Sequence, residues 1–438
     1  MARITLDPDR IIGPVKPLHG GGQPPLTTDL VSGYPIIEKI GAPYARLHDV
    51  GGRFGGGCFV DIPNLFRNFD ADENDPSSYD FTFTDRLLIG LIKSGIEPYF
   101  RLGVTIENSA FIKRYTTNPP SDFGKWARIC EHIMRHYLEG WANGFHHAIT
   151  YWEIWNEPEC FCGAPDGSIF NQMWSGTAEQ YYELYDVTAK HLKASFPYAK
   201  IGGYASCGFY NLTANWDIDA ARAARHHFAY DKQDAFFHGF FRYIRENGSP
   251  IDFFSWHSYA DTHDTLIWAD YLEKKLVEFG YAGLPTHLNE WNPCHLETGT
   301  AHHGAEVASM MLAMQKKSAV ALMCIYDMRI SGEYAPLFDM HRRPTYAWHA
   351  LASFNRLYRL GTEFEAVSDT KGLYAVAAKR GDNHALMISN LTGGTLELSI
   401  EGADLSGASI NLMDETQLMS PCTRYNRLPA NGVLLIEW

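Results

Sequence analysis

The chain has 438 residues and a mass of 49.4 kDa, which is enough for one barrel of roughly 250 residues and a second, smaller unit. Its formal net charge of −14 argues against nucleic acid and anionic membrane surfaces as partners, because their phosphate groups attract Lys and Arg. A hydrophobic fraction of 45% and a mean hydropathy of −0.24 are typical of a soluble globular protein.

Targeting signals and cysteines point to one compartment. The first ten residues lack the apolar core of a signal peptide, and no run of about 18 or more apolar residues predicts a membrane span. The eight cysteines are scattered along a chain far longer than a disulfide-stapled domain, so we interpret them as reduced thiols in a cytoplasmic protein. Cys160 and Cys162 form the one close pair, which is a weak metal signal without a second pair.

Short apolar runs alternate with longer amphipathic segments through most of the chain. The runs predict strands at 15–19, 44–48, 97–102, 150–155, 200–204, 252–257, 286–289 and 319–326. Apolar residues at helical spacing predict helices over 123–138, 178–195 and 304–317. Because alternating strands and helices form parallel sheets, eight such strands predict a (β/α)₈ TIM barrel. The triple glycine at 20–22 lacks the lysine of a phosphate-binding loop and is interpreted as a flexible loop.

After about residue 360 the pattern changes to short strands separated by turn residues. These strands are predicted at 372–378, 384–390, 395–400, 409–413 and 432–438. They indicate a small antiparallel β-sandwich appended to the barrel. We therefore divide the chain into a catalytic barrel over 13–355 and a β-sandwich over 356–438, to which residues 1–12 can add a strand.

Two of the predicted barrel strands end in the same dipeptide, Asn-Glu, with a proline shortly after. Glu157 closes the fourth strand and Glu290 closes the seventh. The carboxyl ends of parallel strands meet at one edge of a barrel, where catalytic residues lie. Two facing carboxylates are what cleavage of a glycosidic bond requires, one to protonate the leaving oxygen and one to stabilise the cationic sugar centre.

The neighbours of the two glutamates suggest their roles. Trp155 and Pro158 flank Glu157 and disfavour its charged form, which makes Glu157 the candidate acid/base. Glu290 is then the candidate nucleophile. Asn156 is a candidate for contacting the sugar hydroxyl next to the reacting carbon, a contact that strengthens in the transition state.

The chain resembles glycoside hydrolase family 39, the β-xylosidase and α-L-iduronidase group, over nearly its whole length. The residues that carry the resemblance are Ala45-Arg46-Leu47-His48, Trp155-Asn156-Glu157-Pro158, Trp256-His257-Ser258-Tyr259 and Asn289-Glu290-Trp291. The resemblance implies the same barrel with a β-sandwich. It also implies net retention through a covalent glycosyl-enzyme, in which Glu290 attacks and Glu157 acts as acid and then as base. In this scheme Tyr259 hydrogen-bonds the nucleophile and His257 lines the sugar site.

Four further positions follow from these motifs. His48 is a candidate for binding sugar hydroxyls. Arg46 alternates with His48 and either orients Glu290 or braces the base of the barrel. Trp291 either stacks on a sugar ring or packs in the core. Family members often carry Asn where this chain has Glu159, so the shape of the sugar subsites is left open.

The sequence therefore predicts a retaining glycoside hydrolase that releases terminal sugars from short oligosaccharides, with a β-xylosidase as the first choice. The alternatives on the same machinery are an α-L-arabinosidase, a galactosidase and an endo-acting polysaccharide hydrolase. A non-catalytic carbohydrate-binding protein is a second class, disfavoured because both carboxylates are present. We predict no metal and no cofactor, since adjacent histidines such as His302 and His303 point apart in regular structure. The expected partner is the sugar substrate, and the oligomeric state is open, a homo-oligomer included.

Overall fold

The computed structural model describes residues 1–24, 37–50, 60–105, 117–163, 169–213, 220–330 and 334–438, and for 162–163, 169 and 220–227 it describes the backbone alone. The chain begins with strand β1 (Ala2–Pro14), which belongs to the C-terminal sheet rather than to the barrel that follows it. No described helix is long and apolar enough to cross a membrane.

Eight parallel strands close into a barrel. In chain order the strands from the second onward are β2 (Gly20–Gly22), β3 (Tyr44–Arg46), β4 (Glu97–Leu102), β5 (Tyr151–Ile154), β6 (Phe161–Gly163), β7 (Ile169–Asn171), β8 (Lys200–Ser206), β9 (Phe253–Ser258), β10 (Thr286–Trp291) and β11 (Val320–Ile325). All except β6 and β7, which pair as a separate hairpin, join in the closed order β2-β3-β4-β5-β8-β9-β10-β11. The predicted (β/α)₈ barrel is confirmed, with β5 as its fourth strand and β10 as its seventh.

The first barrel strand lies further along the chain than predicted, at Gly20–Gly22 instead of 15–19. Its backbone runs so close to β11 that a Cβ atom at Gly20 would come within 2.8 Å of the carbonyl oxygen of Met323. Only glycine fits at position 20, and a strand of glycines carries no apolar pattern. The interpretation of the triple glycine as a flexible loop is therefore wrong.

Helices alternate with the barrel strands and cover them. They are α1 (Ile62–Leu65), α2 (Thr82–Lys93), α3 (Phe123–Glu139), α4 (Ala178–Ser195), α5 (Ala220–Asn247), α6 (Thr262–Glu278), α7 (Ala301–Gln315) and α8 (Tyr346–Leu360). Local capping fixes where several of them begin. The Asp122 side chain accepts the backbone N–H of Lys125 at the start of α3, and Thr177 and Gln180 form a capping box on α4.

The C-terminal part of the chain forms a mainly antiparallel sheet. Its strands after β1 are β12 (Thr362–Ser368), β13 (Leu373–Arg380), β14 (Asn383–Asn390), β15 (Leu396–Glu401), β16 (Ser409–Asp414), β17 (Gln417–Pro421), β18 (Arg427–Leu428) and β19 (Val433–Glu437). They form one continuous nine-stranded sheet in the order β17-β16-β19-β14-β13-β12-β1-β15-β18, and the β1–β15 pair is parallel. The predicted antiparallel unit is present, although β12, β17 and β18 were not predicted.

The sheet packs against the last helices of the barrel. Ser309 in α7 donates to the hydroxyl of Ser389 in β14 across 2.9 Å. Glu363 in β12 accepts hydrogen bonds from Gln315 and Lys316, both at 2.6 Å. Helix α8 crosses the predicted division between the two units, whose boundaries stay a prediction.

Candidate active site

The two predicted glutamates lie at the carboxyl ends of their barrel strands. Glu157 follows β5, and Glu290 is the last residue but one of β10. The chain turns sharply after β5, because Trp155 and Glu157 have positive φ angles of 73° and 44°. Such left-handed backbone at non-glycine residues persists only where the surroundings impose it, and it is concentrated at functional sites. Here the turn is held by the backbone N–H of Glu157, which donates to the carbonyl oxygen of Ala205 at 3.0 Å.

The fold brings the two carboxyl groups together around one histidine. A carboxylate oxygen of Glu157 and one of Glu290 lie within 4.8 Å of each other. The Nδ1 atom of His257 shares a hydrogen bond of 2.7 Å with Glu157 Oε1 and lies 3.8 Å from Glu290 Oε2. The Nε2 atom of His257 is buried and has no hydrogen-bond partner among the described residues.

Arg46 links three other residues of the site. Its Nη1 atom donates to Glu290 Oε2 across 2.9 Å, and its Nε atom donates to Glu153 Oε2 across 2.7 Å. Its Nη2 atom donates to Asn156 Oδ1 across 2.5 Å. Asn289 Nδ2 donates to the second oxygen of Glu153 at 2.6 Å. Arg46 therefore lies in the barrel interior between two buried carboxylates, in contact with one predicted catalytic residue.

The second oxygen of Glu290 is also held. The hydroxyl of Tyr259 donates to Glu290 Oε1 across 2.7 Å. With Arg46 on one oxygen and Tyr259 on the other, the orientation of the Glu290 carboxylate is fixed by two donors, one at the end of β3 and one directly after β9. The contact that the resemblance implied for Tyr259 is present in the structure.

Burial dominates the titration of this pair. It raises the pKa of Glu157 to about 7, against a lowering by Arg46 and by the thiols of Cys160 and Cys207. Burial also raises the pKa of Glu290, while His257 and Arg46 act in the opposite direction. Because the Arg46 guanidinium contacts Glu290 directly at 2.9 Å, Glu290 is the member of the pair that is better able to stay ionised.

Two histidines of the site are neutral near pH 7. Burial lowers the pKa of His257 to about 4 and lowers the pKa of His48 well below its usual range. His48 Nε2 lies 3.1 Å from Asp49 Oδ1, and Asp49 Oδ2 accepts the hydroxyl of Tyr326 at 2.6 Å. His48 is thus fixed at the same edge of the barrel as the two glutamates.

Trp291 is not exposed at the edge of the barrel, where stacking on a sugar ring would require it. Its side chain is completely buried among the apolar residues of the barrel. No ring face is exposed, so the predicted stacking of Trp291 on a sugar finds no open surface in this structure. Its indole Nε1 atom has no hydrogen-bond partner among the described residues.

Sequence reasoning missed two charged residues that organise the site, Glu153 and Asp49. Glu153 is a charged residue inside an otherwise apolar core strand, and such a residue is stable only with a buried partner. That signal was present in the sequence, but the partner, Arg46, could not be identified from it. Asp49 directly follows His48 and carried no distinguishing pattern.

Two groups of side chains in the described part of this edge have the spacing of metal ligands. The first is Glu157, His257 and Glu290, and the second is Glu157, Cys160 and Cys207; in each group the ligand atoms lie within 4.8 Å of one another. The first group adjoins the Arg46 guanidinium, a fixed cation that disfavours a metal ion. The absence of a metal from the chemistry stays a prediction.

A closed parallel barrel with facing glutamates at the ends of its fourth and seventh strands is the arrangement of a barrel glycosidase. The family model described as glycosyl hydrolases family 39 matches residues 44–311, more than half of the chain, and the matched region contains both glutamates. The chain therefore belongs to glycosyl hydrolases family 39, which confirms the resemblance carried by its motifs.

Individual relatives are distant. A β-xylosidase from Geobacillus stearothermophilus is 23% identical over 296 residues, which cover 62% of this chain and 50% of the relative. The chain spans about half the length of the curated relatives it matches. Among solved structures, a glucosidase from Croceicoccus marinus has a TM-score of 0.75 at 19% identity, with 100% of this chain and 98% of that chain covered. A family 39 β-xylosidase from Caulobacter crescentus has a TM-score of 0.65 at 19% identity, with 99% of both chains covered. At these identities the structural likeness shows the fold alone.

Proposed function

We propose that this chain is a retaining glycoside hydrolase, with Glu157 as the acid/base and Glu290 as the nucleophile. The observation that carries the proposal is the approach of their carboxylate oxygens to within 4.8 Å at one edge of the barrel. Retaining enzymes hold the two carboxyl groups about 5–5.5 Å apart, whereas inverting enzymes hold them roughly 6.5–9.5 Å apart to admit a water molecule. The close spacing favours direct attack by a carboxylate.

In the first step the Glu290 carboxylate attacks the anomeric carbon while Glu157 protonates the leaving oxygen. Arg46 and Tyr259 support the attack because they hold one oxygen each, at 2.9 and 2.7 Å, and keep the carboxylate oriented. Burial supports the protonation, since it raises the pKa of Glu157 to about 7 and so retains a proton near neutral pH.

In the second step a water molecule attacks the glycosyl-enzyme and Glu157 removes its proton. Formation of the ester neutralises Glu290, so the charge repulsion between the two glutamates disappears. The pKa of Glu157 then falls, and its ionised form, produced by the first step, acts as the base. The same residue therefore serves in both steps because its neighbour changes charge.

Two buried polar atoms of the site are available to hydrogen-bond a sugar. Arg46 can only donate hydrogen bonds, so the side-chain oxygen of Asn156 must face it and the Asn156 amide group is left to donate. The Asn156 Nδ2 atom is buried without a partner among the described residues, as is His257 Nε2. Buried polar groups of this kind find their partners in a ligand, and sugar hydroxyls supply them.

For the sugar itself we propose xylose, released from the non-reducing end of short β-xylosides. The support is the similarity to curated β-xylosidases, and the low identity leaves the other specificities on the same machinery as competitors. A non-catalytic sugar-binding protein is disfavoured because both glutamates are present and each is held by hydrogen bonds.

The test is a panel of nitrophenyl glycosides and oligosaccharides that covers β-xylose, α-L-arabinose, glucose and galactose, run with wild type and Glu290→Gln. We expect β-xylosides to be hydrolysed, with a loss of at least about 10³-fold in the variant. Glu183→Gln, at an exposed position on α4, is the matched control and should keep full activity. Proton NMR of the first product should report the β-anomer. The α-anomer, or full activity in Glu290→Gln, contradicts the mechanism, and hydrolysis of another sugar contradicts the specificity.

A further inference from the structure

Three side chains beside Glu157 combine two thiols with a carboxylate. Cys160 lies in the loop after β5, and Cys207 follows directly after β8. The Sγ atoms of both cysteines and one carboxylate oxygen of Glu157 lie within 4.8 Å of one another. Both thiols lie within hydrogen-bonding reach of the Glu157 carboxyl group, Cys160 Sγ also reaches Gln172 Oε1 at 3.6 Å, and neither thiol forms a disulfide. We call Glu157, Cys160 and Cys207 the thiol–carboxylate cluster.

The cluster has the dimensions of a zinc site. A tetrahedral Zn²⁺ ion binds thiolates at about 2.3 Å and carboxylate oxygens at about 2.0–2.2 Å, which puts two sulfur ligands about 3.8 Å apart. Since the ligand atoms are already within 4.8 Å of one another, shifts on the order of 1 Å bring them to these distances. The fourth position is left for water. Thiolates select Zn²⁺ and similar soft ions over Ca²⁺ and Mg²⁺.

The burial of the cluster suits an ion that enters from solvent. Cys207 is 9% exposed and the Glu157 side chain is 12% exposed, while Cys160 is half-buried. A bound cation is therefore held largely out of water, where its attraction to thiolates and a carboxylate is strongest. The half-buried Cys160 provides the side from which the ion can approach.

Other possible ligand groups in the described residues are weaker. Cys294, Glu297 and His302 also have ligand atoms within 4.8 Å, but this group has one thiol and its glutamate is exposed. The group around the proposed nucleophile contains no thiol and lies against a buried guanidinium. Among the possible ligand groups in the described residues, the thiol–carboxylate cluster is the one that contains two thiols.

We propose that the thiol–carboxylate cluster binds a thiophilic divalent cation such as Zn²⁺, and that the bound cation inhibits hydrolysis. As the sulfur–metal and oxygen–metal bonds form, the two thiol protons leave for solvent, with the Glu157 proton where it is present, and no electrons are transferred. Inhibition rests on the proposed function, because a metal-bound Glu157 cannot protonate a leaving group. The prediction of no metal weighed Cys160 with Cys162, whereas the fold joins Cys160 to Cys207.

Titration of the reduced chain with Cd²⁺ tests the site without using activity, because thiolate-to-cadmium charge transfer gives an ultraviolet band. We expect the band to saturate at one Cd²⁺ per chain and to disappear when Zn²⁺ is added in competition. The affinity should rise by about 100-fold per pH unit between about pH 7 and the thiol pKa, since two thiol protons are released, and more steeply below about pH 7, where Glu157 also loses a proton. A chain that develops no band in this titration overturns the proposal.

Substitutions locate the site. Cys160→Ser and Cys207→Ser each replace one soft ligand with a side chain of similar size, and we expect each to weaken Cd²⁺ binding at least about tenfold. Cys294→Ser removes the thiol of the weaker group and should bind as wild type does. If Cys294→Ser removes the band and the other two keep it, the proposal is wrong. Circular dichroism verifies that each variant is folded. If Cys207→Ser does not fold, Cys160→Ala is measured in its place.

Inhibition is measured separately, on the substrate found in the glycoside panel. Zn²⁺ should inhibit wild type over the concentration range in which it displaces Cd²⁺, and a chelator should restore activity. Half-inhibition of Cys160→Ser should need at least about tenfold more Zn²⁺. Unchanged hydrolysis by a Zn²⁺-loaded chain overturns the inhibitory role. Cd²⁺ binding by a chain that hydrolyses nothing supports the site and counts against the proposed function instead.

Discussion

The Nε atom of Arg46 donates to Glu153 Oε2 across 2.7 Å inside the barrel, where neither side chain is more than 1% exposed. The same guanidinium donates to Glu290, so one buried cation faces two buried carboxylates. Glu153 balances part of the Arg46 charge and fixes the direction in which Arg46 points at Glu290. A buried pair of this kind is costly to break, because the charge that remains is left without its partner.

Glu153→Gln should therefore destabilise the fold and disturb the site together. We expect the free energy of unfolding to fall by about 2–3 kcal/mol, less than for a fully unpaired charge because Glu290 still faces Arg46. Urea unfolding of the variant beside wild type measures the change. Glu401→Gln, which removes an exposed pair with Arg3 at 3.3 Å, is the control and should change little. Equal effects from the two substitutions contradict a structural role for the buried pair.

Tyr259→Phe removes one of the two donors that hold Glu290. Because a hydrogen bond to a charged group contributes about 1.5–3 kcal/mol, kcat should fall by about 10- to 100-fold on the substrate identified in the panel. KM should change less than kcat, because the tyrosine contacts Glu290, the proposed nucleophile. Steady-state kinetics with the exposed substitution Tyr198→Phe as control measure both constants. An unchanged kcat in Tyr259→Phe means that Arg46 alone orients Glu290.

Most of the barrel could be predicted because its strands carry apolar side chains that leave a pattern. Seven strands were predicted near their observed positions, and the eighth, Gly20–Gly22, was not. A strand of glycines has no side chains to form a pattern, and its place depends on a close approach to Met323 that only the closed barrel creates. Strands β12, β17 and β18 of the C-terminal sheet were also not predicted. Each of them is short or only partly buried, so its apolar pattern is weak.

The candidate site likewise contains residues that have a local sequence signal and contacts that only the fold creates. Glu157 and Glu290 could be predicted because each ends an apolar run with a local Asn-Glu signal, and parallel strands end at one edge. The pairing of Arg46 with Glu153 depends on which residues of non-adjacent strands face the same point inside the barrel. The meeting of Cys160 with Cys207 likewise depends on the loop after β5 reaching the end of β8. Neither contact has a trace in the local sequence.

The proposed acid/base role of Glu157 gives a definite pH dependence. An acid must be protonated, and burial raises the pKa of Glu157 to about 7, so kcat/KM of wild type should fall as the pH rises through about 7. Glu157→Gln should lose this alkaline limb. It should also slow cleavage of a disaccharide by about 10²- to 10⁴-fold, since a sugar leaving group needs a proton.

A nitrophenyl glycoside provides the internal control for Glu157→Gln. Nitrophenolate leaves without much help from an acid, so the glycosylation step on this substrate should suffer far less than it does on the disaccharide. The ratio of the two losses, from kcat/KM at several pH values, is the measurement. Equal losses on both substrates contradict the role of Glu157 as acid.

Glu159 directly follows the Asn-Glu-Pro motif of the fourth barrel strand, and the structure buries it completely. Its Oε1 atom accepts the backbone N–H of Cys207 at 2.9 Å, while its Oε2 atom has no partner among the described residues. Burial raises the pKa of this carboxyl group from 4.5 to about 8, so the folded chain holds a proton there at neutral pH. The unfolded chain does not hold this proton.

This difference makes stability depend on pH in a known direction. Between pH 4.5 and about 8 the folded chain binds a proton at Glu159 that the unfolded chain has lost, so the free energy of unfolding decreases as the pH rises. The stabilisation from this proton is fully present below pH 4.5 and lost above about pH 8. Between these values the free energy of unfolding falls by at most about 1.4 kcal/mol per pH unit. Glu157, whose pKa is also raised, adds a slope of the same sign.

Glu159→Gln cannot titrate and should therefore flatten the slope. We expect the variant to gain stability relative to wild type as the pH rises, with the difference growing until about pH 8 and constant beyond it. Urea unfolding of both proteins at intervals between about pH 5 and pH 9 gives the two curves. Glu415→Gln, at an exposed position in the turn between β16 and β17, should run parallel to wild type throughout. A constant difference between Glu159→Gln and wild type over the whole range means that Glu159 is already ionised in the folded chain, which contradicts the raised pKa.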